Sequence, residues 1–230
     1  MTKDIPYYSK NEDSNVVRIF VIRHGQTDHN VKKILQGHRD ISLNSRGFEQ
    51  AVDLGKYLKQ RYIKFDKVVS SDLLRCTETI GEVLAYSGQE DMQVGYYRNL
   101  RERYMGIIEG MHITEAEAYA DKHGKGSFRD FGEPAEEFLH RLTNQIEKST
   151  LEASKEGNKN MALVSHGGSI RTILSWLNYD AKNAHNIIVF NTSVTIIDYM
   201  KDTKKFEVRD VGNTRHLGSG EFIVSDLRLR

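Results

Sequence analysis

The sequence predicts an α/β fold, a three-layer α/β/α sandwich built on a mostly parallel central sheet. Three observations carry this. Apolar runs rich in β-branched residues recur at VVRIFVI, FDKVVSSD and NMALVSHGG; each ends in polar residues or glycine; and each is followed by apolar residues at helical spacing. Strand, loop and helix in repetition build a parallel sheet whose connections lie on both of its faces.

Residues 1–15, MTKDIPYYSKNEDSN, show no apolar period and read as a polar N-terminal arm, leaving 16–230 as a single domain. VVRIFVI is nearly continuous in apolar side chains, as a strand buried on both faces must be. Phe48, Ala51, Val52, Gly55, Leu58 and Tyr62 then recur with the period of an amphipathic helix. FDKVVSSD supplies a second strand, with Ser71 or Asp72 placed to cap a helix carrying Leu74, Thr77, Ile80 and Leu84. From about 97 to 133 the spacing is irregular, which predicts a partly helical insertion. Ala135, Phe138, Leu142, Ile146 and Ala153 mark a long helix ending at Gly157. NMALVS is a third strand, leading into a helix with Ile170, Ile173, Leu174 and Leu177. IIVF, SVTIIDYM and KFEVRDV read as later strands, some of them antiparallel.

Composition excludes several functions. Lys plus Arg number 33 against 32 Asp plus Glu, so no global basic field invites nucleic acid or an anionic membrane. The single cysteine, Cys76, forms no intrachain disulfide and suits a reducing compartment. The N-terminal residues lack the apolar stretch of a signal peptide, and no apolar run approaches the ~20 residues of a membrane helix. A cytoplasmic location is expected; nothing in the sequence sets an oligomeric state.

The unusual side chains cluster at strand ends. His24 lies just past the first strand, Arg75 in the first helical turn after the second, and His166 directly after MALVS. Ligands of open α/β sheets bind outside the carboxyl ends of strands, so one crevice can receive all three together with Arg23. Two guanidiniums and two imidazoles suit a tetrahedral dianion, which points to a phosphoryl group. Gly25, Gly167 and Gly168 would let backbone approach it, and SHGGSIRTIL opens a helix whose amino end favours an anion. An isolated Arg-His-Gly triplet is commonplace; two strand-His-Gly elements joined by Arg75 are not. Other chemistries lack their parts. Cys76 has Glu82 where a Cys-x5-Arg phosphatase needs arginine, and no Gly-x4-Gly-Lys-Ser/Thr loop exists. His29, His38, His112 and His185 lack metal-ligand spacing, so no metal is expected.

RHGQTDHN, QGHRDISLNSRG, SSDLLRCTET, LRERYMGIIEG and VSHGGSIR resemble, in order, the signature segments of the histidine phosphatase superfamily, in the branch that contains cofactor-dependent phosphoglycerate mutase. The resemblance spans about residues 16–211, and the chain as a whole, with its tail GEFIVSDLRLR, is most similar to the fungal broad-specificity phosphatases of that superfamily. It implies a phosphoglycerate mutase-like fold and a metal-independent phosphomonoesterase that needs no cofactor, acting on small phosphorylated metabolites through a phosphohistidine. His24 would be the nucleophile, with Arg23, Arg75 and His166 holding the phosphoryl oxygens. The pattern Glu-x3-Gly-x2-Glu-Gly, met by Glu102, Gly106, Glu109 and Gly110, makes Glu102 the proton donor and Glu109 structural. Asn30 and Gly167 would contact the phosphate, Gln36 and Gly37 would lie on a loop over the substrate, and Thr27 and Tyr104 would form the pocket wall. The mutases carry Glu-Arg-His-Tyr-Gly where this chain has ERYMG, together with a different insertion, which ranks mutase activity second. Binding of a phospho-ligand without turnover ranks third, because His24 and Glu102 are both present. Arg98, Arg101, Arg103, Lys122 and Lys125 are candidates to hold a second anionic group on the substrate.

Overall fold

The computed structural model describes residues 7–179, 187 and 189–218; the first six residues, His185, Ile188 and the tail from 219 lie outside them. Among the described residues six strands, β1 (Val16–Arg23), β2 (Lys67–Ser71), β3 (Val94–Tyr97), β4 (Asn160–Ser165), β5 (Val194–Met200) and β6 (Lys205–Asn213), form one sheet in the order β3-β2-β4-β1-β5-β6. β1 to β4 run parallel, while β5 pairs antiparallel with β1, and β6 with β5. The described helices are α1 (Asp28–Val31), α2 (Ser45–Gln60), α3 (Leu74–Ser87), α4 (Ile113–Lys122), α5 (Ala135–Lys155) and α6 (Gly167–Trp176). None is long and apolar enough to cross a membrane.

Successive side chains of a strand point to opposite faces, so β1 feeds two cores. Val17, Ile19 and Val21 pack with Leu142 and Ile146 of α5 and Ile170 and Leu174 of α6. Phe20 and Ile22 pack on the other side with Leu54 and Leu58 of α2 and Ile80 and Val83 of α3. Register then sets the site. Arg23 stands opposite Ser165, and Ser70 opposite Val164, so the carboxyl ends of β1, β2 and β4 are level.

Local expectations differ from the structure in four places. α2 stops at Gln60, and Tyr62 takes a left-handed φ of 55° and is 81% exposed; the chain turns there so that Ile63 and Phe65 enter the core instead. α3 has Leu73 at its N-cap, which makes no side-chain cap bond, and the Ser71 hydroxyl accepts the Leu73 N–H, one residue before the helix, at 3.4 Å. Asp72 is held by the Arg101 fork, and Asp40, from a distant loop, accepts the Leu74 N–H at 2.6 Å. Its buried face is therefore Arg75, Cys76, Thr79, Ile80, Val83 and Leu84, with Leu74 exposed. Within IIVF, residues Ile187, Val189 and Phe190 form no strand, and the Val189 carbonyl accepts a hydrogen bond from the Arg23 side chain. The end of the N-terminal arm is packed against the body: Tyr8 lies against Phe20 and Tyr57, and Asn11 exchanges hydrogen bonds with Asn160.

The segment 97–133 is partly helical, with α4, three short 3-10 turns and a small core of Ile108, Ala116 and Phe128. It docks on the loop after α1 through a bridge between Ile34 and His112.

Candidate active site

The backbone of β1 carries Arg23 and His24 into a dry position. His24 N–H donates to the Ser165 carbonyl at 3.0 Å, continuing the β1–β4 ladder by one residue. The ring Nδ1 lies 2.7 Å from the Gly25 carbonyl. A carbonyl only accepts, so Nδ1 bears the proton and Nε2 bears the lone pair. Burial is the main reason the imidazolium is disfavoured; the charges of Arg75 and Arg23 add to it and the Gly25 bond opposes it, so the His24 pKa falls well below its ordinary value. His24 is a neutral imidazole with its nucleophilic nitrogen defined.

His166 follows β4 and lies 5.3 Å from His24, ring centre to ring centre. Arg75 Nε donates to its Nδ1 at 3.1 Å, which puts the His166 proton on Nε2, 2.9 Å from the Ser71 hydroxyl at the end of β2. The ends of β2 and β4 and the first turn of α3 thus meet in one chain of bonds from Ser71 to His166 to Arg75. Burial, then Arg75, His24 and Arg23, keeps His166 neutral as well. Arg75 uses its other two nitrogens on the carbonyls of Arg39 and Gly37, at 2.8 and 2.9 Å. Three of its five N–H groups are engaged, and one on each terminal nitrogen is left for an anion.

Glu102 joins this cluster from the start of the insertion. Its two carboxyl oxygens accept the N–H groups of Arg103 (2.9 Å) and Gly168 (2.8 Å), the latter in the first turn of α6. The group that occupies this helix end is thus one of the protein's own, the Glu102 carboxyl. The glycines make room for protein groups rather than for ligand: a Cβ on Gly168 would lie 2.4 Å from Glu102 Oε1, one on Gly167 3.3 Å from Arg23 Nε, and one on Gly25 2.6 Å from the Gly47 carbonyl.

Asn30 accepts at its side-chain oxygen from the backbone and hydroxyl of Thr27 and from Asn191, leaving its NH2 as the donor. Thr27 is buried and acts as the N-cap of α1, so its hydroxyl orients Asn30. Gly37 takes a φ of +49° against Glu109, and Glu109 accepts the N–H groups of His38 and Met105, which ties the 36–38 loop to the insertion. Gln36 adjoins it with a buried carbonyl oxygen that has no partner among the described residues. Tyr104 is exposed beside His38. Of the cations proposed for a second anion, Arg101 is forked onto Asp72 and Arg103 onto the carbonyls of Phe131 and Glu133; internal bonds occupy both. Cys76 is buried at 3.6 Å from His166, its thiol pushed up to about 12 by burial, which makes it packing rather than a nucleophile.

Sequence reasoning missed Ser71 as the partner of His166, Asp40 at the start of α3, and Asn191, whose amide bonds the His24 carbonyl at 2.9 Å. Asn191 precedes β5 with no motif to mark it. Only the antiparallel pairing of β5 with β1 brings it to the site.

The model of the histidine phosphatase superfamily (branch 1) matches residues 19–212. A broad-specificity phosphatase of Saccharomyces cerevisiae is 65% identical over 230 residues, covering 100% of both chains. Among solved structures, a phosphoglycerate mutase from Bacillus anthracis superposes with a TM-score of 0.78 at 32% identity, covering 89% of this chain and 96% of that one. A mycobacterial glucosyl-3-phosphoglycerate phosphatase in complex with VO3 gives 0.69 at 25% identity, covering 86% and 98%.

Proposed function

Because the chain belongs to branch 1 of the histidine phosphatase superfamily, we propose that its site hydrolyses small phosphate monoesters through a phosphohistidine on His24, without a metal ion. One observation carries the reading most. A neutral His24, its proton fixed on Nδ1, feels the charges of Arg75 and Arg23 within the cluster that also holds Glu102.

In the first half-reaction His24 Nε2 attacks phosphorus as the ester P–O bond breaks opposite to it. Charge on the three equatorial oxygens is met by the remaining N–H groups of Arg75, by Arg23 and by the Asn30 amide. Glu102 in its acid form gives its proton to the departing alkoxide, which leaves as the alcohol. In the second, Glu102 takes a proton from water while the water oxygen attacks phosphorus and the N–P bond breaks. Phosphate leaves, and His24 and Glu102 regain their starting protonation. His166, with both ring nitrogens engaged by Arg75 and Ser71, acts on the phosphoryl group chiefly by orienting Arg75.

The relatives include a mutase, yet two features favour hydrolysis. The full-length fungal relative is a phosphatase, and Arg101 and Arg103, which could have gripped a substrate carboxylate, are tied to protein groups. A small phosphorylated metabolite is the substrate class we infer, and the cytoplasm, which suits a chain whose one cysteine is a buried free thiol, its location.

Rapid mixing with a 32P-labelled ester and an alkaline quench should trap acid-labile label on the protein, and chelator should leave steady-state phosphate release unchanged. Label that survives in His24→Ala would overturn the assignment of the nucleophile.

A further inference from the structure

The segment around Glu102 is held by a residue whose side chain is engaged wholly with protein groups. Arg141 lies on α5, and all five of its N–H groups are engaged. Nε and Nη2 fork onto the two carboxyl oxygens of Glu133 at 2.6 and 2.8 Å. Nη1 donates to the carbonyls of Asn99 (2.9 Å) and Arg101 (3.0 Å), and Nη2 to that of Glu102 itself (2.9 Å). The guanidinium lies over the Phe138 ring, 4.9 Å from its centre, which fixes its plane.

Glu133 completes the clamp. Its carboxylate also accepts the Tyr104 N–H at 3.2 Å, and its own N–H donates to the Tyr104 carbonyl at 2.8 Å. His38 Nε2 donates to the Glu102 carbonyl at 2.8 Å, so that oxygen receives two donors. Residues 99, 101, 102 and 104 are thereby pinned by two side chains that reach the segment from the side of α5. Burial favours a neutral Glu133, but the bond and charge of Arg141 outweigh it and hold its pKa below the ordinary value, so the pair stays ionic near neutral pH.

We propose that Arg141, braced by Glu133, is the positioning residue for proton transfer by Glu102. The proposal rests on the reading of Glu102 as the general acid. Catalysis tolerates little misplacement, and an error of about 1 Å can cost about 100-fold. Lysine offers three donors and no planar fork, so Arg141→Lys cannot remake five bonds and should loosen the segment without emptying the site.

The test uses the full chain and first-turnover rates on two esters, an alkyl phosphate that needs a proton at its leaving oxygen and a nitrophenyl phosphate that does not. Arg141→Lys should lower the alkyl rate about 10- to 100-fold, leave the aryl rate within about threefold, and change kcat rather than KM. Glu133→Gln should act in the same direction less strongly, and it carries the test if Arg141→Lys fails to fold by circular dichroism. In the Glu102→Gln background Arg141→Lys should cost the alkyl ester nothing more. Equal losses on both esters, or a full additional loss in that background, would reduce Arg141 to a fold-stabilising residue. If Glu102→Gln alone shows no difference between the esters, the general-acid reading fails first and the proposal falls with it.

Discussion

Glu102 and Gly168 depend on each other atom by atom. The Gly168 N–H holds one carboxyl oxygen, while the absence of a side chain leaves room for the other, which would sit 2.4 Å from a Cβ. The clashing atoms are the end of a flexible side chain, so Gly168→Ala can be relieved by moving Glu102 without moving the helix. Alanine also suits a helix better than glycine, by about 1 kcal/mol. Gly168→Ala should therefore leave urea stability unchanged or slightly raised while slowing first-turnover cleavage of an alkyl phosphate by about tenfold or more, with a smaller effect on a nitrophenyl ester. An unchanged alkyl rate would mean that Glu102 tolerates displacement. Arg75 shows the same dependence at its own scale, since its guanidinium is aimed by His166 on one edge and by the carbonyls of Gly37 and Arg39 on the other.

At the level of elements, α3 decides where that guanidinium starts. The helix begins at Leu74 with an apolar N-cap, and the acceptor for its first N–H comes from Asp40, on the same loop whose carbonyls Arg75 grips. Loop and helix are thus bonded in both directions, and the 36–40 loop is tied again to the insertion by Glu109. An N-cap acceptor is worth about 1 kcal/mol and an anion at the amino end a few tenths more. Asp40→Ala should lower urea stability by about 1 kcal/mol and weaken competitive inhibition by inorganic phosphate, because Arg75 lies one residue into the loosened turn. Asp40→Asn, which keeps an acceptor, should recover most of the stability. Loss of stability with no change in phosphate inhibition would uncouple the cap from the site.

For the whole molecule, burial of neutral histidines predicts how folding responds to acid. His24, His166 and His216 all have pKa values lowered first by burial, His216 to about 3. Above the unfolded value of about 6.5 none of them opposes folding. As pH falls below it the unfolded chain binds protons that the folded rings exclude, so stability declines until the folded values are reached, near 3 for His216. The melting temperature should drop steadily from pH 6.5 toward pH 4, and His216→Gln should flatten part of that slope, since glutamine does not titrate. His216 also bonds the Thr192 hydroxyl, and Thr192 N–H donates to the Arg23 carbonyl, so His216→Gln tests acid sensitivity close to the site. A parallel shift of the whole curve with its slope unchanged would move the acid sensitivity elsewhere. The acid limb of kcat/KM should likewise lie well below 6.5 if the proposed nucleophile is His24, whose ring resists protonation.

The sequence by itself determined the strands β1, β2 and β4, the helices that follow them and the residues at their carboxyl ends, because apolar period and strand-end position are local signals. Arg23, His24, Arg75 and His166 were legible for that reason, and Glu102 and Asn30 through the segments that resemble a known family. It did not determine which groups orient those side chains. Ser71 read as a helix cap and also serves His166; Arg101 and Arg103 read as candidate substrate cations and bind protein; Asp40, Asn191 and Arg141 gave no signal. Arg141 lies 39 residues from Glu102, Asn191 167 residues from His24, and Asp40 34 residues from Leu74. A hydrogen bond across such a separation depends on the register of the sheet and on how the insertion docks, and no window of sequence contains either. Much of the candidate site was legible at the ends of strands, and its geometry was decided by packing.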